Sequence, residues 1–141
     1  VMYLLDTNTL IYFLKQQGHV AQHLQRTAAS AIAVPSVVLF ELEYGLLRSV
    51  RPQAQRQGVE MVRMAYRALD FDYACAKAAG QVKQTLAAQG TPVGPIDTLI
   101  AGTALAHGLT LVTHNTGEFA RVPGLALADW YSQTPTSPHA A

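Results

Sequence analysis

The chain has 141 residues, of which half are hydrophobic and only 13% are charged. This length and composition suit one globular domain and exclude an intrinsically disordered chain. A single cysteine excludes an internal disulfide, and the absence of zinc-like Cys/His spacing argues against a zinc site. The net charge is +1, and no apolar run is long enough to span a membrane, so we expect a cytoplasmic protein.

Short apolar runs alternate with helical periodicity along the chain. In chain order, the pattern predicts a strand at 2–5, a helix after 6–8, a helix at 19–29, a strand at 31–34, a helix from 35–36, a helix at 53–67, a strand at 69–71, a helix at 72–89, a helix at 96–107, a strand at 109–112, a helical turn at 117–120 and an apolar run at 125–127. Such alternation predicts an α/β fold with a short, mostly parallel sheet flanked by helices on both faces. The Ser/Thr/Pro-rich residues 132–141 predict a mobile tail, so we expect the domain to occupy residues 1–131.

Four polar residues stand in apolar surroundings: Asp6 and Asn115 follow predicted strands, while Glu41 and Asp97 lie in predicted helices. Ligands of parallel sheets bind at the carboxyl ends of the strands. Carboxylates removed from water either share protons or surround a cation, and oxygen ligands favour Mg²⁺ or Mn²⁺. Because such an ion activates water and polarises a phosphodiester, the set predicts phosphodiester hydrolysis.

Each of these residues also has a purely structural interpretation. Asp6 suits the N-cap of the next helix, Asp97 suits a helix N-terminus, and Asn115 suits a turn. Glu41 is harder to explain in this way, because it interrupts an apolar helix whose solvent face is available to Glu43. The functional interpretation therefore depends on the four residues together.

Four segments carry a resemblance to a known family: LLDTNTLIYFL, SVVLFELEYG, PVGPIDTLIAGTALAHG and LTLVTHNTGEFARVPGLALADW. Together they resemble the PIN-domain ribonucleases, and closely the VapC toxins of bacterial type II toxin–antitoxin operons. The resemblance spans nearly the whole chain, up to Trp130, and implies a PIN-like fold. It also implies that Asp6, Glu41 and Asp97 are catalytic residues that hold Mg²⁺ or Mn²⁺.

The resemblance implies further roles around these acids. Asn115 matches a fourth catalytic position, where many members of the family carry Asp. Asn8 and Thr113 match polar groups that orient the metal-site residues. Glu118 either supplies the missing fourth carboxylate or faces solvent.

The activity implied is that of a metal-dependent endoribonuclease, in which water attacks phosphorus and leaves 5′-phosphate and 3′-hydroxyl ends. Several similar toxins cut tRNA in the anticodon region and so inhibit translation. The implied partners are a VapB-type antitoxin, which alone contacts operator DNA, and a second copy of the chain, within a homodimer or a larger toxin–antitoxin assembly. Tyr12, Phe13, Tyr44 and Leu47 fall on helices that form these interfaces in the family, although plain core packing predicts the same residues.

Support for RNA binding in the sequence itself is loose. Arginines recur between residues 48 and 67, and Arg48, Arg51, Lys83 and His114 are the candidate RNA contacts. A solvated helix face has the same composition.

Two alternatives remain open. LLDTNTLI also resembles the start of haloacid-dehalogenase-like phosphatases, but Asn8 stands where that family has its second Asp. The second alternative is a catalytically inactive PIN module that binds RNA or protein. It would have lost its activity because Asn115 stands where many members of the family have an acid.

Overall fold

The computed structural model describes residues 1–136, so the last five residues of the predicted tail lie outside the described part. The strands are β1 (Tyr3–Leu5), β2 (Ile32–Pro35), β3 (Arg67–Leu69), β4 (Thr110–Val112) and β5 (Leu127–Ala128). The helices are α1 (Thr7–Leu14), α2 (Val20–Gln25), α3 (Ser36–Leu47), α4 (Pro52–Ala65), α5 (Tyr73–Ala88), α6 (Pro95–His107) and α7 (Thr116–Phe119), with a 3₁₀ turn at Ala29–Ala31. Within residues 1–136, no helix is both long enough and apolar enough to cross a membrane.

The five strands form one sheet in the order β3-β2-β1-β4-β5, and each of the four pairings is parallel. The chain moves outward from β1 through β2 to β3, and then returns to the other side of β1 with β4. Strand order therefore reverses between β1 and β4, which is where open α/β sheets bind their ligands. The predicted α/β class and parallel sheet are confirmed.

The central strands are hydrophobic on both of their faces. Leu4 and Leu5 point to opposite sides of the sheet, and both are fully buried. Leu111 and Val112 of β4 are fully buried in the same way. This pattern requires helices on both faces, because each face must be shielded from water.

The observed boundaries differ from the predicted ones at α2 and at β3. The helix predicted at 19–29 ends at Gln25, where the Thr27 hydroxyl donates to the His23 carbonyl oxygen over 2.7 Å. The third strand comes two residues early, because Arg67 to Leu69 pair with β2. Asp72 caps α5, since its carboxylate accepts from the Cys75 backbone N–H at 3.0 Å.

The first residues of the predicted tail contact the domain. The Asp129 carboxylate accepts from the Ser132 backbone N–H at 3.1 Å. The His23 ring nitrogen Nε2 lies 2.6 Å from the Gln133 carbonyl oxygen. The second contact holds the chain after β5 against α2.

Candidate active site

Asp6 lies at the point where strand order reverses, between the end of β1 and the start of α1. Its carboxylate accepts from the Thr9 backbone N–H at 2.9 Å and so caps α1. Unlike most N-caps it is buried, with 4% of its surface exposed. The Thr9 hydroxyl donates to the Val112 carbonyl oxygen at 3.1 Å, which joins the start of α1 to the end of β4.

The surroundings of Asp6 act on its charge in opposite directions. Burial raises the pKa of Asp6, and the hydrogen bonds from Thr113 and Thr9 oppose this effect. The nearby charge of Glu41 raises the pKa further. Thr113 is fully buried and also accepts from the Asn115 backbone N–H at 3.0 Å, so it connects Asp6 with the loop after β4.

Glu41 lies on α3 and is partly buried, and on the same helix the side chain of Glu43 is 46% exposed. The Thr7 hydroxyl donates to Oε1 of Glu41, which holds that side chain beside the start of α1. Glu43 instead pairs with Arg56 over 2.8 Å at the surface. The two acids therefore have the separate orientations that the sequence predicted, with Glu43 on the solvent face.

Asp97 lies in the first turn of α6, two residues after Pro95 begins that helix. Its pKa is raised from 3.8 to about 6, first by burial and then by the charges of Asp6, Glu118 and Glu41. Four carboxylates, from the N-cap of α1 and from α3, α6 and α7, therefore share one electrostatic neighbourhood.

Asn115 and Glu118 complete this neighbourhood on the side of β4. The Asn115 amide donates to Oε2 of Glu118 over 3.0 Å. Asn115 is exposed, whereas Glu118 is partly buried and contributes to the raised pKa of Asp97. Glu118 thus faces the site and is hydrogen-bonded to Asn115, which the family resemblance matches to a fourth catalytic position.

The donor atoms in this neighbourhood are carboxylate oxygens with hydroxyl and amide support, which is the chemistry that suits Mg²⁺ or Mn²⁺. Their mutual repulsion is the kind that a divalent cation relieves. In the described part of the chain, no three Asp, Glu, His or Cys side chains are arranged to hold a metal ion together. Two of the carboxylates are instead engaged in hydrogen bonds, Glu41 with Thr7 and Glu118 with Asn115.

The orienting contacts come partly from residues that the sequence analysis missed. Asn8 is exposed, and within residues 1–136 no hydrogen bond joins it to a carboxylate, so its orienting role stays a prediction. Thr7 and Thr9, which flank Asn8, contact Glu41 and Asp6 instead. Their signal in the sequence is a pair of hydroxyl residues in the first turn after a capping Asp.

Two grooves flank the site, and two of the candidate RNA contacts line them. The first groove, of about 410 Å³, lies between α1, α3 and α4, and both Arg51 and Glu41 line it. The second groove, of about 520 Å³, lies between α5 and α6 and is lined by Lys83 and Thr98. Lys83 and Arg51 therefore line different grooves.

The other basic residues have local roles. Arg56 forms ion pairs with Glu43 and Glu60, so its guanidinium is less available to a phosphate. The Arg48 guanidinium lies 5.4 Å from the centre of the Tyr44 ring. The arginines along residues 48–67 therefore do not form a continuous phosphate-binding stripe, because acidic residues pair with some of them. Arg48 and Arg51 remain candidate RNA contacts.

Comparisons with known proteins agree with one another. The family model described as PIN domain matches residues 3–125. The tRNA(fMet)-specific endonuclease VapC of Salmonella typhimurium is 38% identical over 128 residues, which cover 91% of this chain and 97% of that protein. Ribonuclease VapC2 of Rickettsia felis is 33% identical over 132 residues, which cover 92% of this chain and 98% of that protein. The crystal structure of DNA-bound VapBC from Salmonella typhimurium superposes with a TM-score of 0.87 at 37% identity, covering 92% of this chain and 98% of that one.

Proposed function

The chain belongs to the PIN-domain family and, within it, to the VapC ribonucleases, and on that premise we propose that it is the tRNA-cleaving toxin of a VapBC-type module. The observation that carries the proposal is the shared neighbourhood of Asp6, Glu41 and Asp97 where strand order reverses. A relative named as a tRNA(fMet)-specific endonuclease makes initiator tRNA the first substrate to test. Cleavage in the anticodon region would inhibit translation and would place the activity in the cytoplasm. Membership of the PIN-domain family argues against the alternative of a haloacid-dehalogenase-like phosphatase.

PIN-domain nucleases are generally dependent on a divalent metal. Asp6, Asp97 and Glu41 are the residues that would hold Mg²⁺ or Mn²⁺ here. Such an ion, when bound, supplies activation of water and stabilisation of the leaving oxygen.

The residues of the chain itself prepare the site for a phosphodiester. Thr113 and Thr9 fix the carboxylate of Asp6, and Thr7 fixes that of Glu41. The N-termini of α1 and α6 begin beside the same acids, and the positive ends of helix dipoles favour phosphate oxygens. The site therefore combines acids for a cation with helix ends for an anion.

The test is incubation of the purified protein with total tRNA and with initiator tRNA, in Mg²⁺, Mn²⁺ or EDTA, with mapping of the cut ends. Asp6→Asn and Asp97→Asn are expected to lower the cleavage rate by more than about 100-fold. Loss of a residue that only orients a metal ligand typically costs about 10- to 100-fold. Asp72→Asn is the matched control, because Asp72 caps α5 with the same geometry but remains exposed. It is expected to cut like the parent chain.

Equal cutting by the parent chain and both site variants would contradict the proposal. Binding of RNA without any cutting would favour the alternative of an inactive PIN module, in which Asn115 cannot replace an acid. Retained cutting in EDTA would contradict the metal-dependent mechanism alone.

We further propose that the first groove receives the C-terminal segment of a VapB-type antitoxin. The groove leads to Glu41, so a segment lying in it would cover the site. The neighbouring α3 exposes Phe40, Tyr44 and Leu47, which have 60%, 55% and 86% of their surface exposed. A patch of this kind is typical of a protein interface, and the operator DNA would be bound by the antitoxin alone.

Gly45 offers a direct test of this groove. A Cβ atom at Gly45 would meet no atom within 4 Å apart from the chain neighbours of Gly45 and the backbone of its own helix, so Gly45→Leu is chosen to extend a side chain into the groove. Gly80→Leu is the matched control, because Gly80 is equally open but lines the second groove. Titration with the antitoxin encoded beside the gene is expected to show weaker binding for Gly45→Leu only. Equal affinity for both variants would place the antitoxin elsewhere.

The boundaries and assembly complete the proposal. We place the PIN domain within residues 1–131, with residues 132–141 as an appended tail. We infer a homodimer that joins the antitoxin in a larger assembly, and light scattering of the free protein and of the complex measures both masses. A monomeric free protein would contradict the dimer without affecting the ribonuclease.

A further inference from the structure

Three ring side chains pack together beside the carboxylate site. His114 stacks on Tyr131 with ring centres 4.3 Å apart and an angle of 29° between the planes. Tyr12 meets His114 edge-on at 5.9 Å and packs on Tyr131 at 4.6 Å. We refer to these three residues as the ring platform.

The carboxylate of Asp129 fixes the platform. It lies 3.1 Å from Nδ1 of His114, and it accepts from the backbone N–H groups of Tyr131 and Ser132 at 2.9 and 3.1 Å. The ring of Tyr131 also packs closely against Gly18, where an added Cβ would lie 2.6 Å from the ring. The platform is therefore rigid before any ligand arrives, which lowers the entropic cost of binding.

The position of His114 directs it away from the core and along the rim of the site. Thr113, immediately before it, is buried and bonded to Asp6, and Asn115, immediately after it, contacts Glu118. The His114 side chain is 38% exposed, and within residues 1–136 its Nε2 atom has no hydrogen-bond partner. An exposed aromatic surface thus adjoins the proposed site of phosphodiester cleavage.

Anchoring of the chain after β5 does not account for this arrangement. Other hydrogen bonds already hold that segment. The Asp129 carboxylate accepts from two backbone N–H groups, and the His19 backbone N–H donates to the Tyr131 carbonyl oxygen at 3.0 Å. The imidazole adds a solvent-facing ring whose orientation is set by Asp129.

We propose that the ring platform binds an unpaired RNA base next to the scissile phosphate, with His114 as the stacking surface. This inference rests on the proposed ribonuclease function and specifies how its substrate is held. Aromatic stacking suits any unpaired base, because every base has a π face. The platform therefore favours cleavage in a single-stranded loop over cleavage within a duplex.

The test compares His114→Ala, His114→Phe and the control His107→Ala, an exposed histidine at the end of α6. The probe is a fluorescent oligoribonucleotide that spans the mapped cut, together with versions that carry one abasic ribose on either side of it. Binding is measured by anisotropy in the Asp97→Asn background, and cleavage is measured in the parent background. Melting temperatures of all variants are recorded.

His114→Ala is expected to weaken binding of the intact oligonucleotide by about 5- to 20-fold and to raise KM correspondingly. His114→Phe should restore most of the affinity, and His107→Ala should leave it unchanged. With the abasic ribose at the stacked position, His114→Ala and its parent should bind equally, because the base that His114 contacts is missing.

Three results would overturn the inference. His114→Ala binds and cuts within twofold of its parent; or its loss is the same on intact and abasic probes; or its loss follows a lower melting temperature and is not rescued by Phe. In each case cleavage by the parent chain would leave the ribonuclease function standing. A parent chain that neither binds nor cuts RNA would reject both proposals together.

Discussion

Asp97→Asn is expected to make the protein more stable at neutral pH while it removes activity. Asp97 lies among like charges, since Asp6, Glu118 and Glu41 all raise its pKa in addition to the effect of burial. Asn has nearly the same shape and no charge. The substitution therefore removes repulsion without creating a cavity.

The pH dependence follows from the proton balance. The pKa of Asp97 rises from 3.8 to about 6 on folding, so the folded chain binds more protons than the unfolded chain between these values. Stability then falls as the pH rises through this window, and the loss is complete above about pH 7. The shift corresponds to at most about 3 kcal/mol, at about 1.4 kcal/mol for each pH unit. Because Asp97 is only partly buried, we discount this value for solvent screening to about 1 kcal/mol.

The assay is urea unfolding of the parent chain and of Asp97→Asn, in EDTA, from pH 4 to pH 8. The variant should match the parent near pH 4 and exceed it by about 1 kcal/mol at pH 8, which is about 3 to 5 °C in melting temperature for a domain of this size. Glu43→Gln is the control on a surface acid. Its ion pair with Arg56 lowers the pKa of Glu43, so this substitution should bring no gain at high pH. A gain for Asp97→Asn that is equal at pH 4 and pH 8 would refute the electrostatic reasoning.

Three further predictions address the support of the site, the packing of the fold and the metal. Thr113→Val removes the hydroxyl that contacts Asp6 and the Asn115 backbone, and it should lower the cleavage rate by about 10- to 100-fold and the unfolding free energy by about 1 to 2 kcal/mol; unchanged kinetics would deny Thr113 an orienting role. Gly102→Ala would place a Cβ 2.6 Å from that of Ala79 where α5 crosses α6, so urea unfolding should show a loss of about 1 to 3 kcal/mol, whereas Gly80→Ala, in open space, should show none. Mg²⁺ should raise the melting temperature of the parent chain more than that of Asp97→Asn and should restore cleavage after EDTA; equal shifts in both proteins would contradict the assigned metal site.

The sequence predicted the fold because its signals are local. Strands β1, β2 and β4 lie in short apolar runs, α5 starts after the capping residue Asp72, and α6 starts with Pro95 in its first turn. Glu41 could be singled out because a charge interrupts an apolar helix. These features depend on a few neighbouring residues, so no tertiary information was needed to find them.

The remaining features depend on contacts between distant parts of the chain. The Thr9 hydroxyl bonds to the Val112 carbonyl oxygen across 103 positions, and Thr7 bonds to Glu41 across 34. The ring platform brings Tyr12 together with Tyr131 from the other end of the domain. Spacing within one segment carries no information on such pairs, so it could not identify the contacts of Thr7 and Thr9.

Asp6 and Asp72 show where the information that separates function from structure lies. Both follow an apolar segment, and both cap a helix through a backbone N–H three residues later, at 2.9 and 3.0 Å. The hydrogen bonds at Asp72 lower its pKa and stabilise the fold, because that carboxylate remains in water. At Asp6 the same bond is outweighed by burial between β1 and β4, which raises the pKa and makes the charge costly. A cap needs no such burial, so the parallel strands on either side, rather than the capping motif, distinguish Asp6 as the candidate catalytic residue.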